Sequence, residues 1–297
     1  MREQDKVAVV ACSNGLSGEG RTQMSLLMER LKKIGLQPVV RGSLYRNETV
    51  WGASAPERAE ALMECYRDPE IRAVFDVSGG DLANELLPFL DYDVIGKSDK
   101  LFWGYSDLTT VINAIYAKTG RPSVLYQVRQ LVSSCGGLQT ERFRSAVLQG
   151  DRELFTLPCC FLRGDSLEGH VLGGNLRCLL KLAGTPYWPD MRDKVLLLES
   201  LGGTVAQMVT YLSQLGQMGV WEQVRGVILG TFTKMEELGC TPAMEELVLG
   251  CAVRQTGETF PIVKTKEVGH GDNSRAVMIG ARIRCRGRLA EGEADWL

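Results

Sequence analysis

The sequence predicts an α/β protein, with a Rossmann-like parallel sheet in its N-terminal half and a mixed α/β, β-rich domain in its C-terminal half. Short apolar runs alternate with amphipathic stretches of helical spacing throughout the first half. Such alternation is typical of parallel strands joined by helices that cover the sheet. Near the end of the chain, PIVKTKEV and RAVMIGARIRCRG are predicted strands with no helix between them. With 297 residues, the chain is long enough for two domains.

Four strands are predicted in the first half, and each leads towards a helix. In order they are KVAVVAC, QPVVRG, IRAVFDVS and KLFWGYS. The first helix ends at Gly35, as helices commonly do at glycine. The second begins at Ser54, with Glu57 three residues later and Pro56 in the first turn, which is the pattern of a capping box. The third strand is followed by GGDLANELLPFL, a loop into a short helix.

Residues 136–168 interrupt this alternation and are predicted to connect two domains. The N-terminal, Rossmann-like domain is placed at 1–135 and the C-terminal mixed α/β domain at 169–297. The second domain resumes with HVLGGNLRCLLKLAG, with KVLLLES as an apolar strand, and with VAQMVTYLSQLGQMG, RGVILGTF and PAMEELVLGCAVRQTG.

The net charge gives no reason to expect a nucleic-acid or membrane partner. The formal net charge is −2 and the pI about 5.9, so no electrostatic attraction to nucleic acid or to an anionic membrane is expected.

The sequence also bears on the location of the protein. The N-terminus lacks the pattern of a signal peptide, and no apolar run is long enough to span a bilayer. The nine cysteines are scattered without C-x-x-C spacing. We therefore expect a cytoplasmic protein with reduced thiols.

Ser106 is the first candidate for chemistry, because WGYSDL places it between the fourth strand and its helix. The carboxyl ends of parallel strands are where sites form in α/β domains, and the N-terminus of a helix favours a developing oxyanion. The stretch matches the nucleophile elbow Gly-x-Ser-x-Gly except that Leu108 replaces the last glycine. Serine and aspartate before a helix are also common caps, so the local pattern alone leaves both interpretations open.

A serine nucleophile needs a base, and the chain has only two histidines, His170 and His270. His170 is at the start of a predicted strand. His270 is flanked by glycines in a polar turn, which suits a base that must stay hydrated. Glu199 ends the apolar strand KVLLLES, where a carboxylate must be paired or must emerge into a site. A surface or half-buried imidazole and an exposed acid at a strand end are the alternatives.

Two glycine-rich loops add further candidates. Gly79 and Gly80 follow the third strand and would lie beside Ser106, where a backbone N–H could approach a reacting carbonyl. A turn that requires positive φ would explain the same glycines. GLSGEGRT, residues 15–22, has the spacing of a phosphate-binding loop, but Arg21 occupies the position of the required lysine. Nucleotide binding and an ordinary turn between strand and helix both remain open.

Six segments together carry a resemblance to a known family. They are SGGDLANELLPFLDYDVI, LFWGYSDLTTVINAIYAKTG, GHVLGGNLRCLLKLAGTPYWPD, VLLLES, GQMGVWEQVRGVILGTF and GHGDNSRAVMIG. In these segments and in their order, the chain resembles the serine peptidases that group LD-carboxypeptidases with the microcin C immunity peptidases. The resemblance covers nearly the whole chain and implies a Rossmann-like domain that carries the nucleophile. A β-rich C-terminal domain would carry the other two catalytic residues.

The resemblance also implies a role for each candidate residue. Ser106 would be the nucleophile, His270 the base and Glu199 the acid that orients it. The backbone N–H groups of Asp107 and Gly80 would form the oxyanion hole.

Asn175, in GGNL, and Gly79 would lie near the substrate. No metal or cofactor is implied, and a homodimer is expected. The implied reaction is hydrolysis of an L,D-peptide bond to the terminal D-residue of a muropeptide-like peptide, as in peptidoglycan recycling.

Three alternatives remain: an amidase of aminoacyl-nucleotide conjugates like microcin C, a P-loop-like nucleotide-binding protein, and a non-catalytic peptide-binding member. The immunity peptidases carry a longer insertion with a tryptophan that stacks on a nucleobase. Residues 133–168 are short and contain no tryptophan, which favours a peptide substrate.

Overall fold

The computed structural model describes residues 1–46, 49–256, 260–288 and 291–296, and its strands form one open sheet and one closed barrel. The open sheet has the order β11-β5-β4-β3-β1-β2, and the barrel the order β10-β6-β13-β12-β7-β8-β9. The strands are β1 (Lys6–Val10), β2 (Gln37–Val40), β3 (Ile71–Asp76), β4 (Leu101–Gly104), β5 (Ser123–Leu125), β6 (Leu157–Arg163), β7 (Ser166–Asn175), β8 (Lys194–Ser200), β9 (Gly226–Phe232), β10 (Ile262–Lys264), β11 (Val277–Ile279), β12 (Arg282–Arg288) and β13 (Glu291–Trp296).

Helices cover both the sheet and the barrel. They are α1 (Arg21–Ile34), α2 (Ala55–Arg67), α3 (Tyr92–Lys97), α4 (Thr109–Thr119), α5 (Gly136–Arg144), α6 (Leu176–Leu180), α7 (Val205–Gln217), α8 (Val220–Gln223), α9 (Thr233–Glu237) and α10 (Met244–Thr256). None of the helices in the described ranges is both long and apolar enough to cross a bilayer.

The open sheet is buried on both faces, which explains its apolar strands. Along β1, Val7 and Val9 pack into one buried cluster, while Ala8 and Val10 pack into another. β1 to β5 pair with one another in parallel, and β11 pairs antiparallel with β5. Parallel strands covered on both faces read as continuous apolar runs. The predicted Rossmann-like sheet is therefore confirmed.

The barrel is mixed, as predicted for the C-terminal half. β7, β8, β9 and β10 pair in parallel, and the remaining pairs are antiparallel. β8 is buried from Val195 to Ser200. One hydrophobic cluster runs from a face of the open sheet through α4 into the barrel. The sheet and the barrel therefore share a core at this junction.

Within the described ranges, the chain crosses between the two β structures three times: from β5 to β6, from β10 to β11, and from β11 to β12. β6, inside the predicted connecting segment 136–168, pairs with β10 and β13 in the barrel. β11 returns to the open sheet and pairs with β5. The boundaries placed at 135 and 169 stay a prediction.

The segment RAVMIGARIRCRG was predicted as a single strand, and this was wrong. It forms two strands, β11 and β12, in different sheets. Gly280 separates them with a φ of 89°, and a Cβ at this position would lie 2.5 Å from Cδ2 of Tyr116. The turn therefore requires glycine, which moves the chain from the open sheet back to the barrel.

The capping box at the start of α2 is confirmed and gives a first test. The backbone N–H of Ser54 donates to Glu57 at 2.8 Å, and the Ser54 hydroxyl accepts from the backbone N–H of Glu57 at 3.5 Å. Ser54→Ala removes this cap and should lower the free energy of unfolding by about 1 kcal/mol. Urea denaturation followed by circular dichroism measures the change. Ser54→Thr retains the hydroxyl and is the matched control; equal losses in both variants would contradict the assignment.

Candidate active site

The candidate residues meet where the open sheet, the barrel and the β10–β11 connection come together. Ser106 follows β4 in the open sheet, and Glu199 lies near the end of β8 in the barrel. His270 lies on the connection between β10 and β11. A cavity of about 370 Å³ opens here, and Ser106, Gly80 and Asn175 are among its lining residues. The site thus depends on segments from both halves of the chain.

A hydroxyl, an imidazole and a carboxylate form one line of contacts. Oγ of Ser106 lies 3.2 Å from Nε2 of His270, and Nδ1 of His270 lies 2.9 Å from Oε2 of Glu199. The Glu199 side chain is fully buried, and 14% of the His270 side chain is exposed. The exposed acid that was the alternative for Glu199 does not fit this burial.

Two further groups donate hydrogen bonds to the Glu199 carboxylate. The Tyr105 hydroxyl donates to Oε2 at 3.1 Å, and Nδ2 of Asn175 donates to Oε1 at 2.9 Å. Burial, and then the charge of Glu199, raise the pKa of Tyr105 well above its usual range. The phenol therefore stays protonated at neutral pH and keeps its donor. The Tyr105 ring also packs edge-on against the His270 ring, with 5.0 Å between centroids.

Ser106 lies in a backbone conformation that residues with a side chain rarely adopt. Its φ is 56°, between the extended Tyr105 and a short 3₁₀ turn that leads into α4. Such conformations cost of order 1–3 kcal/mol and persist where the surroundings enforce them. The turn has the form of a nucleophile elbow although Leu108 replaces glycine. Gly104 supplies the space, since a Cβ there would lie 2.7 Å from Cβ of Leu108.

Hydrogen bonds connect the α4 helix, which follows Ser106, to β7. Nδ2 of Asn113 donates to the carbonyl of Gly173 at 2.9 Å, and the N–H of Gly173 donates back to Oδ1 of Asn113 at 2.9 Å. The backbone N–H of Asn175 donates to Oγ1 of Thr109 at 3.0 Å. These bonds fix the turn of Ser106 relative to the strand that carries Asn175. Sequence reasoning found Asn175 but missed Asn113 and Thr109.

Gly80 lies at the cavity wall in a conformation reserved for glycine. Its φ is 126°, and a Cβ there would collide with the side chain of Asn14. Oδ1 of Asn14 accepts from the backbone N–H of Asp81 at 2.7 Å, and Asn14 and Gly79 form an isolated bridge. Arg177 pairs with Asp81 and donates to the carbonyl of Gly80 at 3.2 Å. The glycine loop is therefore held from both sides.

Asp107, directly after Ser106, ties the serine turn to this glycine loop. Its fully buried carboxylate accepts from the Ser13 hydroxyl at 2.6 Å and from the backbone N–H of Ala83 at 2.8 Å. Lys181 forms an ion pair with it and also donates to the carbonyl of Asp81 at 2.9 Å. Sequence reasoning missed Lys181. A buried acid implies a partner, but the position of that partner depends on the fold.

His170 and residues 15–22 lie elsewhere in the fold. His170 lies within β7 rather than at its start, and pairs in register with Lys194 and Arg282. Burial, and then these two cations, lower the pKa of His170. In the segment 15–22, the Arg21 guanidinium lies over the Tyr45 ring, 4.2 Å from its centroid. No group of three or more histidine, cysteine or acidic side chains within the described ranges is placed to hold a metal ion.

The ion pair of Asp107 and Lys181 gives a test of the network around the site. Lys181→Met should lower the free energy of unfolding by about 3 kcal/mol, because it leaves a buried carboxylate without its cation. Chemical denaturation measures the loss. The double variant Lys181→Met/Asp107→Asn removes both charges and should recover part of it. The two side chains would not be coupled if the loss of stability in the double variant equalled the sum of the losses in the Lys181→Met and Asp107→Asn single variants.

Curated relatives match most of the chain. A probable murein peptide carboxypeptidase from Bacillus subtilis is 28% identical over 267 residues, which are 85% of this chain and 80% of the relative. A murein tetrapeptide carboxypeptidase from Pseudomonas aeruginosa is 27% identical over 248 residues, with coverages of 77% and 79%. The microcin C7 self-immunity protein MccF from Escherichia coli is 26% identical over 271 residues, with coverages of 80% and 76%.

Solved structures share the fold along the whole chain. Wild-type MccF without ligand superposes with a TM-score of 0.86 at 20% identity, covering 100% of this chain and 97% of that chain. A muramoyltetrapeptide carboxypeptidase from Oxalobacter formigenes gives a TM-score of 0.77 at 21% identity, covering 98% of each chain. At these identities the similarity establishes the fold, and it confirms the predicted fold class.

Two family models match consecutive parts of the chain. The LD-carboxypeptidase N-terminal domain matches residues 7–126, and the LD-carboxypeptidase C-terminal domain matches residues 168–285. The two matches together cover well over half of the sequence, in the order that the six segments of the resemblance predict. The chain therefore belongs to the LD-carboxypeptidase family.

Proposed function

We propose that the protein is a serine carboxypeptidase that hydrolyses the L,D-peptide bond before the terminal D-residue of a muropeptide-like peptide. The observation that carries the proposal is the line of contacts from Ser106 through His270 to Glu199, at a cavity that Gly80 also borders. A hydroxyl within reach of an imidazole, which a buried carboxylate orients, is the arrangement that makes serine a nucleophile.

Acylation begins when Oγ of Ser106 attacks the scissile carbonyl carbon and its proton passes to Nε2 of His270. Nδ1–H of His270 donates to Glu199, which holds the tautomer that leaves Nε2 free to accept. The backbone N–H groups of Asp107 and Gly80 donate to the oxyanion, and each such donor is worth about 3 kcal/mol in comparable sites.

Deacylation completes the cycle with water. The tetrahedral intermediate collapses, its C–N bond breaks, and His270 returns the proton to the leaving amine, so the terminal residue departs. Water then attacks the ester carbon and gives its proton to His270. The ester bond to Oγ breaks, His270 protonates Oγ, and the shortened peptide leaves with a new carboxylate.

The choice of substrate class follows from the relatives and from the sequence. Two relatives are named as carboxypeptidases of murein peptides, at 28% and 27% identity. MccF, at 26% identity, is named as an immunity protein against microcin C7. We favour the peptide because residues 133–168 contain no tryptophan to stack on a nucleobase.

Incubation with defined substrates tests the proposed reaction. The panel consists of the tetrapeptide L-alanyl-γ-D-glutamyl-L-lysyl-D-alanine, its isomer with a terminal L-alanine, and an aspartyl sulfamoyl adenosine conjugate. We expect mass spectrometry to show loss of alanine from the first compound alone. Cleavage of the conjugate alone would instead identify an amidase of aminoacyl-nucleotides.

Substitution of the reacting pair should abolish turnover without unfolding the protein. Ser106→Ala and His270→Ala should each lower kcat by at least about 10⁴-fold, because each removes a group that bonds to or transfers protons with the substrate. The matched control is His170→Ala, which changes the other histidine of the chain and should keep wild-type kcat. Wild-type turnover in Ser106→Ala or His270→Ala would disprove the mechanism.

Substitution of Glu199 and of its hydrogen-bond donor Tyr105 should lower kcat to different extents. Glu199→Gln should lower kcat by about 10³–10⁴-fold, because the amide keeps the shape but no longer favours the reactive tautomer of His270. Tyr105→Phe removes one hydrogen bond to the carboxylate and should lower kcat by about 10- to 100-fold. Steady-state kinetics on the same tetrapeptide measure both. A larger loss in Tyr105→Phe than in Glu199→Gln would contradict the assigned roles.

A further inference from the structure

The charged side chains around the cavity leave one cation without a partner. Asp81, Arg177 and Lys234 are the charged residues that line it. Asp81 and Arg177 pair with each other, so their charges offset locally. The Lys234 ammonium makes no hydrogen bond or ion pair with any residue that the structure describes. The cavity wall therefore presents one uncompensated positive charge to a ligand.

Neighbouring contacts hold Lys234 at this wall. It lies at the start of α9, directly after β9, and its backbone N–H donates to the carbonyl of Leu201 at 3.0 Å. Its aliphatic stem runs over Gly202, where an added Cβ would lie 3.6 Å from Cδ of Lys234. Glu236, on the same short helix, is bound by Lys264 at 2.7 Å. Glu236 therefore pairs with a different lysine.

The loop that contacts Lys234, residues 200–202, directly follows Glu199 in the chain. Ser200 follows Glu199, and its hydroxyl donates to the carbonyl of Gly202 at 2.6 Å. Ser106 and Lys234 border one cavity of about 370 Å³. In a cavity of this size, the end of a peptide that reaches the Ser106 hydroxyl also lies within reach of the ammonium.

We propose that Lys234 binds the free carboxylate of the terminal residue of the substrate and so confines hydrolysis to the last peptide bond. This inference rests on the proposed function. A lysine ammonium is a compact charge on a flexible stem, which suits a single carboxylate that enters with the substrate and leaves with the terminal residue. Lys234 is a specificity residue in this scheme, and the bond-breaking steps do not involve it.

Paired substrates test this role. The tetrapeptide with a free terminal carboxylate is compared with its C-terminal amide, which has the same scissile bond but no anion. Wild-type protein should hydrolyse the acid with a kcat/KM about 10- to 100-fold higher than that for the amide. This ratio corresponds to the free energy that one charge-assisted hydrogen bond contributes. Lys234→Met should erase this preference by raising KM for the acid while the amide is hydrolysed as before. Lys234→Arg keeps the charge and should retain part of the preference.

Two controls separate charge recognition from damage to the site. Lys97→Met removes an exposed lysine on α3 and should behave as wild type. Labelling of Ser106 by a fluorophosphonate that carries no carboxylate should be equal in Lys234→Met and wild type.

Each contrary result has a separate meaning. If Lys234→Met kept the preference for the acid, the carboxylate would bind elsewhere and the inference would be wrong. If the variant lost acid and amide hydrolysis equally, Lys234 would be structural and the inference would again be wrong. If wild-type protein cleaved neither peptide, the proposed function itself would fail.

Discussion

The buried carboxylate of Glu199 is the constraint on which the site depends. A fully buried, unpaired carboxylate costs several kcal/mol, so this position is tolerated only if donors surround it. The donors come from three segments: Tyr105 from the end of β4, Asn175 from the end of β7, and His270 from the β10–β11 connection. Satisfying one charge therefore fixes the open sheet, the barrel and a long connection relative to one another.

The same principle explains the network below Ser106. Asp107 is also fully buried, and its partners Ser13, Ala83 and Lys181 come from three different segments. These contacts hold the turn in which Ser106 adopts a φ of 56°. Strain of this kind persists only where the surroundings outweigh it. Two buried acids thus fix the positions of the hydroxyl, the imidazole and the glycine loop with little dependence on flexible surface groups.

The sequence predicted what local patterns encode. The four strands of the first half, the capping box at Ser54 and the mixed character of the second half are confirmed, because each depends on periodicity or on residues a few positions apart. Ser106, His270 and Glu199 were singled out by position and by the scarcity of histidine, and the structure brings them into contact. Their catalytic roles stay a prediction.

Contacts between distant segments could not be predicted in this way. Lys181 and Asp107 are 74 positions apart, and no local pattern connects them. The split of RAVMIGARIRCRG into β11 and β12 depends on contact between Gly280 and Tyr116, which only the folded chain reveals. Lys234 was not predicted for the same reason. A lysine after an apolar strand is common, and only the fold shows that this one lines the cavity.

The proposed role of Lys234 would explain how the site selects the terminal residue of a peptide. The cavity holds the Ser106 hydroxyl and the Lys234 ammonium within one small volume, and Asp81 is already paired with Arg177. In the proposed binding mode, a peptide end places its carboxylate against that ammonium, whereas a continuing chain places a neutral amide there and leaves the cation without a counterion. The penalty falls on binding rather than on the chemical steps, because Lys234 is separate from the Ser106–His270–Glu199 line. In this interpretation, selectivity for the end of the chain and the capacity for hydrolysis are carried by different residues, and each can change without the other.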